Sequence, residues 1–183
     1  MAADKRSIWI NELGEKTVIS DNVNKIVPWR GGYITGSGSV EILDIVKSYV
    51  AENDISSVHD IENFLTTTVR NGKFHDYWIK TTNIVAIYLS SGGVRAVIIS
   101  AKDLKTFSLN DATVVILVPD TTVDDFKNKI EGKLKSNQFE LFDIISDLKA
   151  LFKIVSIENI SVSSSFDLAV IDHNGMGLIH IEN

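Results

Sequence analysis

Serine, histidine and aspartate are the residue types that build a nucleophile, its base and an orienting acid, and Ser163 to Ser165 lie close in sequence to Asp172-His173. Asp172-His-Asn-Gly175 is also a tight-turn signature, which accounts for the acid without catalysis and makes the triad the lesser reading. The four histidines, His59, His75, His173 and His180, lack the close spacing of a metal site. The chain has no cysteine, which removes thiolate nucleophiles, disulfides and cysteine-held metals. Gly36-Ser-Gly38-Ser39, between a strand and a helix, could offer amides to a phosphate. It has neither the third glycine of a dinucleotide fingerprint nor a Walker lysine, so a nucleotide is the weaker reading, and no cofactor or metal is expected.

The elements that would position these residues follow from period and punctuation. Ser7–Ile10 and Thr17–Ile19 read as strands, and so do 25–29 and 33–35 on either side of Arg30-Gly31-Gly32, where glycine can supply a positive φ for a hairpin. Pro28 places its strand near an edge. From Ser39, an N-cap, the spacing of Val40, Leu43, Val46, Lys47 and Val50 predicts a helix of about three turns. A second helix opens on a Ser57/Asp60 capping box, carries Ile61, Phe64, Leu65, Thr68 and Val69, and stops at Asn71-Gly72.

Residues 83–89 and 94–99 read as strands joined by Ser90-Ser-Gly-Gly93, and 114–118 as a fully apolar strand stopped by Pro119. Thr122 and Asp125 form a capping box for a helix through Phe126, Ile130 and Leu134, on which Lys127, Lys129, Lys133 and Lys135 read as a solvated face. A longer helix with Phe142, Ile145, Leu148, Phe152 and Val155 on one side, widened by Leu141, Ile144 and Leu151, is predicted to be buried between neighbours. Ser161–Ser165 reads as a flexible turn before a last hairpin of residues 166–171 and 176–181. Strands, two helices, strands, two helices and strands in that order imply stacked layers rather than a crossover fold. The expected architecture is one α/β (α+β) domain over residues 1–183, a four-layer α-β-β-α sandwich whose strands are apolar on both faces.

Composition sets the outer limits. With 44% hydrophobic and 23% charged residues the chain falls among ordinary globular proteins. A net charge of −6 repels a phosphate backbone, so nucleic acid is not an expected partner. The absence of cysteine fits a reducing cytoplasm, and no apolar run is long enough to span a bilayer or to form a signal core, so neither export nor membrane insertion is expected.

Three segments, with this order of elements, carry a resemblance. Met1-Ala2-Ala3-Asp4-Lys5-Arg6, Asn22-Val-Asn-Lys25-Ile-Val27 and Tyr33-Ile-Thr-Gly36-Ser-Gly38-Ser39 before a helix resemble motifs of the proteasome β-subunit and HslV family of N-terminal-nucleophile hydrolases. The resemblance implies the roles: Asp4 orients a catalytic lysine, Lys25 is that lysine, and an amide near Gly36 to Gly38 is the oxyanion donor. Glu158 and Ser163 are loose matches to an aspartate and a serine placed near the terminal amine in that family. It also implies a homo-oligomer, a polypeptide substrate and an ATPase partner.

The chain departs from that family at the nucleophile, which there begins a strand immediately upstream of the Ala-Ala-Asp motif, where this sequence has Met1 within the motif. The expectation is therefore a proteasome-like protein without peptide-bond hydrolysis in the sequence as it stands. Two alternatives remain: a threonine-type peptidase whose nucleophile lies further upstream, and a non-catalytic structural ring subunit. For Asp4 and Lys25 an ordinary salt bridge is as good an account as catalytic support.

Overall fold

Short β-prone runs bounded by glycine turns, alternating with capped amphipathic segments, give an α+β fold. The computed structural model of the protein describes residues 1–110, 114, 115, 117, 123–136, 140–172 and 174–183. Along the chain these form β1 (Ala2–Asp4), β2 (Ser7–Ile10), β3 (Lys16–Ser20), β4 (Val27–Trp29), β5 (Gly32–Ser37), α1 (Val40–Glu52), α2 (Val58–Asn71) and α3 (Asp76–Thr81). There follow β6 (Asn83–Ser90), β7 (Gly93–Ser100), β8 (Lys105–Ser108), α4 (Asp124–Ser136), α5 (Leu141–Glu158), β9 (Phe166–Asp172) and β10 (Gly175–Ile181). The chain divides into two compact units, one of Met1, Ile26–Leu109 and Ala169–Gly177, the other of Ala2–Lys25, Asn110–Leu168 and Leu178–Asn183.

In the first unit β4 to β8 form an antiparallel sheet in chain order, with Pro28 on an edge strand as its missing N–H requires. Gly93, at φ 102°, turns β6 into β7. The β4–β5 turn works differently from expectation, because neither Gly31 nor Gly32 has a positive φ. Gly32 is needed for space: a Cβ there would lie 1.9 Å from the Ile87 carbonyl oxygen of the adjoining strand. Helices α1 and α2 cover one face of this sheet, where Ile42, Val46, Ile61 and Leu65 meet Ile34, Ile84 and Ile99 in a single core. The expected caps are present, with Ser39 accepting from the Ile42 amide and Ser57 and Asp60 capping each other's backbone. Ile42, not Val40, completes the α1 stripe, and Val40 is 57% exposed.

Two short elements escaped the sequence reading. Helix α3 spans six residues, and its N-cap is His75, whose Nδ1 accepts from the Tyr77 amide, a role outside the usual Ser, Thr, Asp and Asn set. Strand β8 has four residues and no long alternation to announce it. The strand expected over 114–118 lies partly outside the described residues, and Val114, Val115 and Leu117 themselves are in no strand. Thr122, the expected cap of α4, also lies outside them.

In the second unit β2 and β3 form a hairpin, β1 pairs antiparallel with β9, and Phe152 of α5 stacks on Phe166 of β9 with ring centroids 4.3 Å apart. Helix α5 is not enclosed as predicted: Leu151 and Val155 are buried, whereas Phe142 is 76% and Ile157 78% exposed. On its inner side it instead buries Asp147, whose carboxylate oxygens lie 2.6 Å from the ammonium groups of Lys129 and Lys133 of α4. The lysine face of α4 is thus not merely solvated. Nor are the strands buried on both faces throughout, because Met176, Leu178 and Ile179 of β10 are all at least 40% exposed.

Two predictions follow from this packing. Gly32→Ala should destabilise by about 1–3 kcal/mol or more, because a backbone carbonyl cannot move aside, whereas Gly132→Ala on exposed α4, with nothing within 4 Å of the new Cβ, should stabilise by about 0.5–1 kcal/mol; urea melts of both read the contrast. Burial alone would raise the Asp147 carboxyl, but hydrogen bonds and charge from Lys129 and Lys133 hold it below the ordinary range. A carboxyl whose folded pKa is depressed contributes stability above its unfolded pKa of about 3.9 and loses it as pH falls through the folded value. Asp147→Asn should therefore lower the urea midpoint at pH 7, and the gap from wild type should close below about pH 4.

Candidate functional site

Strand β1 is only three residues long, and its C-terminal end delivers two adjacent charged side chains, Asp4 and Lys5, into the second unit. Its register with β9, Asp4 opposite Phe166 and Ala3 opposite Asp167, fixes where that end falls. Asp4 receives the Lys25 ammonium on Oδ2 at 2.8 Å, and its Oδ1 accepts from the backbone amides of Arg6 at 2.8 Å and Ser163 at 3.4 Å. Both side chains are mostly buried, 17% exposed for Asp4 and 23% for Lys25. The sequence-predicted pair is therefore brought together, with its carboxylate held by two main-chain donors.

Beside it runs a second charged chain that the sequence reading missed. Lys5, buried, reaches Asp167 Oδ1 and Asn24 Oδ1, each at 3.5 Å, and the same Asp167 oxygen lies 3.0 Å from His180 Nδ1. The imidazole is about half exposed, and its Nε2 lies 3.8 Å from Glu182. The signal available was Asp167 itself, a carboxylate interrupting the apolar run Phe166-Asp-Leu-Ala-Val-Ile171. An acid in such a run is buried at a cost of several kcal/mol unless paired. Lys5 was equally visible, but it was overshadowed by Asp4 next to it.

The serine run forms the turn expected before β9, but its centre is buried and hydrogen-bonded. Ser163 is 3% exposed, accepts from the Lys5 amide at 2.9 Å and donates to the Ser165 carbonyl at 2.7 Å. A hydroxyl so placed is a structural bridge, with its proton already committed to a carbonyl. Asp172 accepts from the amides of Asn174 and Gly175, the turn chemistry the sequence indicated, and His173 lies outside the described residues. Glu158 ends α5 as an exposed residue.

Gly36 and Gly38 belong to the first unit, and each has a local reason to be glycine. A Cβ on Gly36 would lie 2.4 Å from Leu43 of α1 and 2.6 Å from the Asn83 carbonyl oxygen; one on Gly38, at φ 110°, would lie 2.5 Å from Thr82. The amide of Ser39 is taken by Thr82 Oγ1 at 2.9 Å, which leaves it none to give a phosphate, and its hydroxyl accepts from the Ile42 amide. Among the described residues no group of three or more His, Asp or Glu could hold a metal ion, and no helix is long and apolar enough to cross a membrane. The chain is matched by no protein-family model and by no curated relative.

Removing Asp4 should be worse than removing Lys25. Asp4→Ala strands two backbone amides and an ammonium in a largely buried setting and should cost about 2–4 kcal/mol. Lys25→Met leaves the carboxylate its two amide donors and should cost about half of that, with a coupling of about 1 kcal/mol in the double-mutant cycle, measured by chemical denaturation. Equal single-mutant losses with no coupling would show two independent charges.

Proposed function

We propose that the protein is a proteasome- and HslV-like member of the N-terminal-nucleophile hydrolase fold, an oligomer in which residues 1–183 carry the charged support of a peptidase centre without its nucleophile. The observation that carries this reading is the Asp4–Lys25 pair at 2.8 Å, at the end of a first strand and with Asp4 held by the amides of Arg6 and Ser163. A lone salt bridge between solvated side chains would not need a carboxylate preorganised by main-chain donors. The grouped order of elements, the antiparallel sheet roofed by α1 and α2, and the stacking of α5 on β9 support an α-β-β-α layering of the same kind.

In such a centre a terminal hydroxyl gives its proton to the chain's own α-amine, and the oxygen attacks a peptide carbonyl. A lysine held charged by an aspartate lowers the cost of forming that oxygen nucleophile, and a fixed amide stabilises the tetrahedral oxyanion. Lys25 and Asp4 fit the first task. Ser163, whose amide bonds Asp4, does not complete the set, because it is buried and its hydroxyl already donates to the Ser165 carbonyl. The large apolar side chains left in solvent, Leu13, Phe142 and Ile157 among them, fit a chain that assembles with copies of itself.

A purified polypeptide of residues 1–183 should release no fluorophore from blocked peptide-coumarin substrates, and size-exclusion chromatography with light scattering should give a mass several times 20.2 kDa. Turnover that disappears in Lys25→Ala would overturn the first statement, and a monomeric mass would overturn the second.

A further inference from the structure

A concavity of about 450 Å³ in the first unit has walls of a distinct chemistry. Its lining includes Trp29 and Tyr88, whose rings are 6.0 Å apart and tilted by 54°. Glu62 and His59 of α2 lie on it too, with the Glu62 carboxylate accepting from Thr106 at 2.9 Å and lying 3.6 Å from His59 Nδ1. Among the described residues that line the space, Glu62 is the acid and none is lysine or arginine. The N-terminus of α2 would favour an anion, but that demand is already met by Asp60, which bonds Ser56 and the Ser57 backbone and hydroxyl. Hydrogen bonds from Ser56 and then Ser57 hold the Asp60 carboxyl below its ordinary range, so it is ionised at neutral pH. The indole Nε1 of Trp29, a residue 7% exposed, has no hydrogen-bond partner among the described residues. A buried donor of that kind gains when an acceptor reaches it.

We propose that this concavity is a binding site for a basic side chain of a polypeptide, its guanidinium or ammonium held by Glu62 and the edge of the Tyr88 and Trp29 pair. A cation over aromatic faces beside a half-buried carboxylate is attracted by both, and the aliphatic stem of Arg or Lys covers the apolar remainder of the wall. The site is independent of the Asp4–Lys25 centre and stands whether or not that centre is ever catalytic.

The chain has three tryptophans, and Trp9 and Trp78 are exposed, so replacing both by Phe leaves Trp29 as a single reporter. N-acetyl-arginine amide at constant ionic strength should change Trp29 emission saturably in the millimolar range, N-acetyl-norleucine amide should not, and Glu62→Gln should weaken the response at least tenfold. A linear or absent response, an equal response to norleucine, or undiminished binding by a folded Glu62→Gln variant would overturn the proposal. If that variant does not fold, amide shift mapping on the unmutated chain decides: arginine-dependent shifts confined to residues 56–62, 88–90 and 29–31 support the site, and shifts elsewhere sink it.

Discussion

Charge that is taken out of water must be paired, and in the second unit that requirement governs the end of β1. Asp4, Lys5, Lys25 and Asp167 are all less than a quarter exposed, and none could stay ionised there alone without a large desolvation penalty. The pairs are crossed: Asp4, the last residue of β1, and Lys5, which follows it, take a base from the segment before β4 and an acid from β9. Sliding β1 by one residue against β9 would bring Asp4 to the place of Lys5, acid against Asp167, or, in the other direction, Lys5 to the place of Asp4, base against Lys25. The register of Asp4 with Phe166 is therefore enforced electrostatically as well as by the ladder.

Ser163 and the backbone complete that lock. The Lys5 amide on Ser163 Oγ, the Ser163 amide on Asp4 and the Val23 amide on the Lys5 carbonyl tie the loop before β9 and the segment after β3 to the same two residues. A strand of three residues has too few ladder bonds to be specified alone. Polar bonds to sequence-distant segments supply the specification, which also explains why the region has the look of a site even though the serine within it is structural.

What the sequence disclosed and what it hid separate along physical lines. The Ser57/Asp60 capping box, the Gly93 turn and the edge position of Pro28 are local, and residues within four of one another sufficed to announce them. The pair Asp4–Lys25, 21 positions apart, was legible only through resemblance to a known pattern. The chain Lys5–Asp167–His180 was not, because it joins residues that no periodicity links. Gly32 was read as a φ requirement and proved to be a space requirement, a distinction that depends on a neighbouring strand the local sequence cannot see. The α5 stripe failed for a related reason: helical period identifies an apolar face but not whether anything covers it, and here Asp147, the polar residue, is buried while Phe142 is not.

That inversion on α5 bears on function. An isolated chain that buries an aspartate against two lysines and leaves Phe142, Ile154 and Ile157 to water has its helix rotation fixed by charge rather than by maximal apolar burial. Rotating α5 to bury those side chains would pull Asp147 from Lys129 and Lys133 and lift Leu151 and Val155 out of their core. The helix is thereby held with an apolar surface outward, and such a surface is stable in water only while it is small or covered. The same logic that locks β1 by crossed charges thus sets α5 with its Asp147 inward and Phe142 and Ile157 outward.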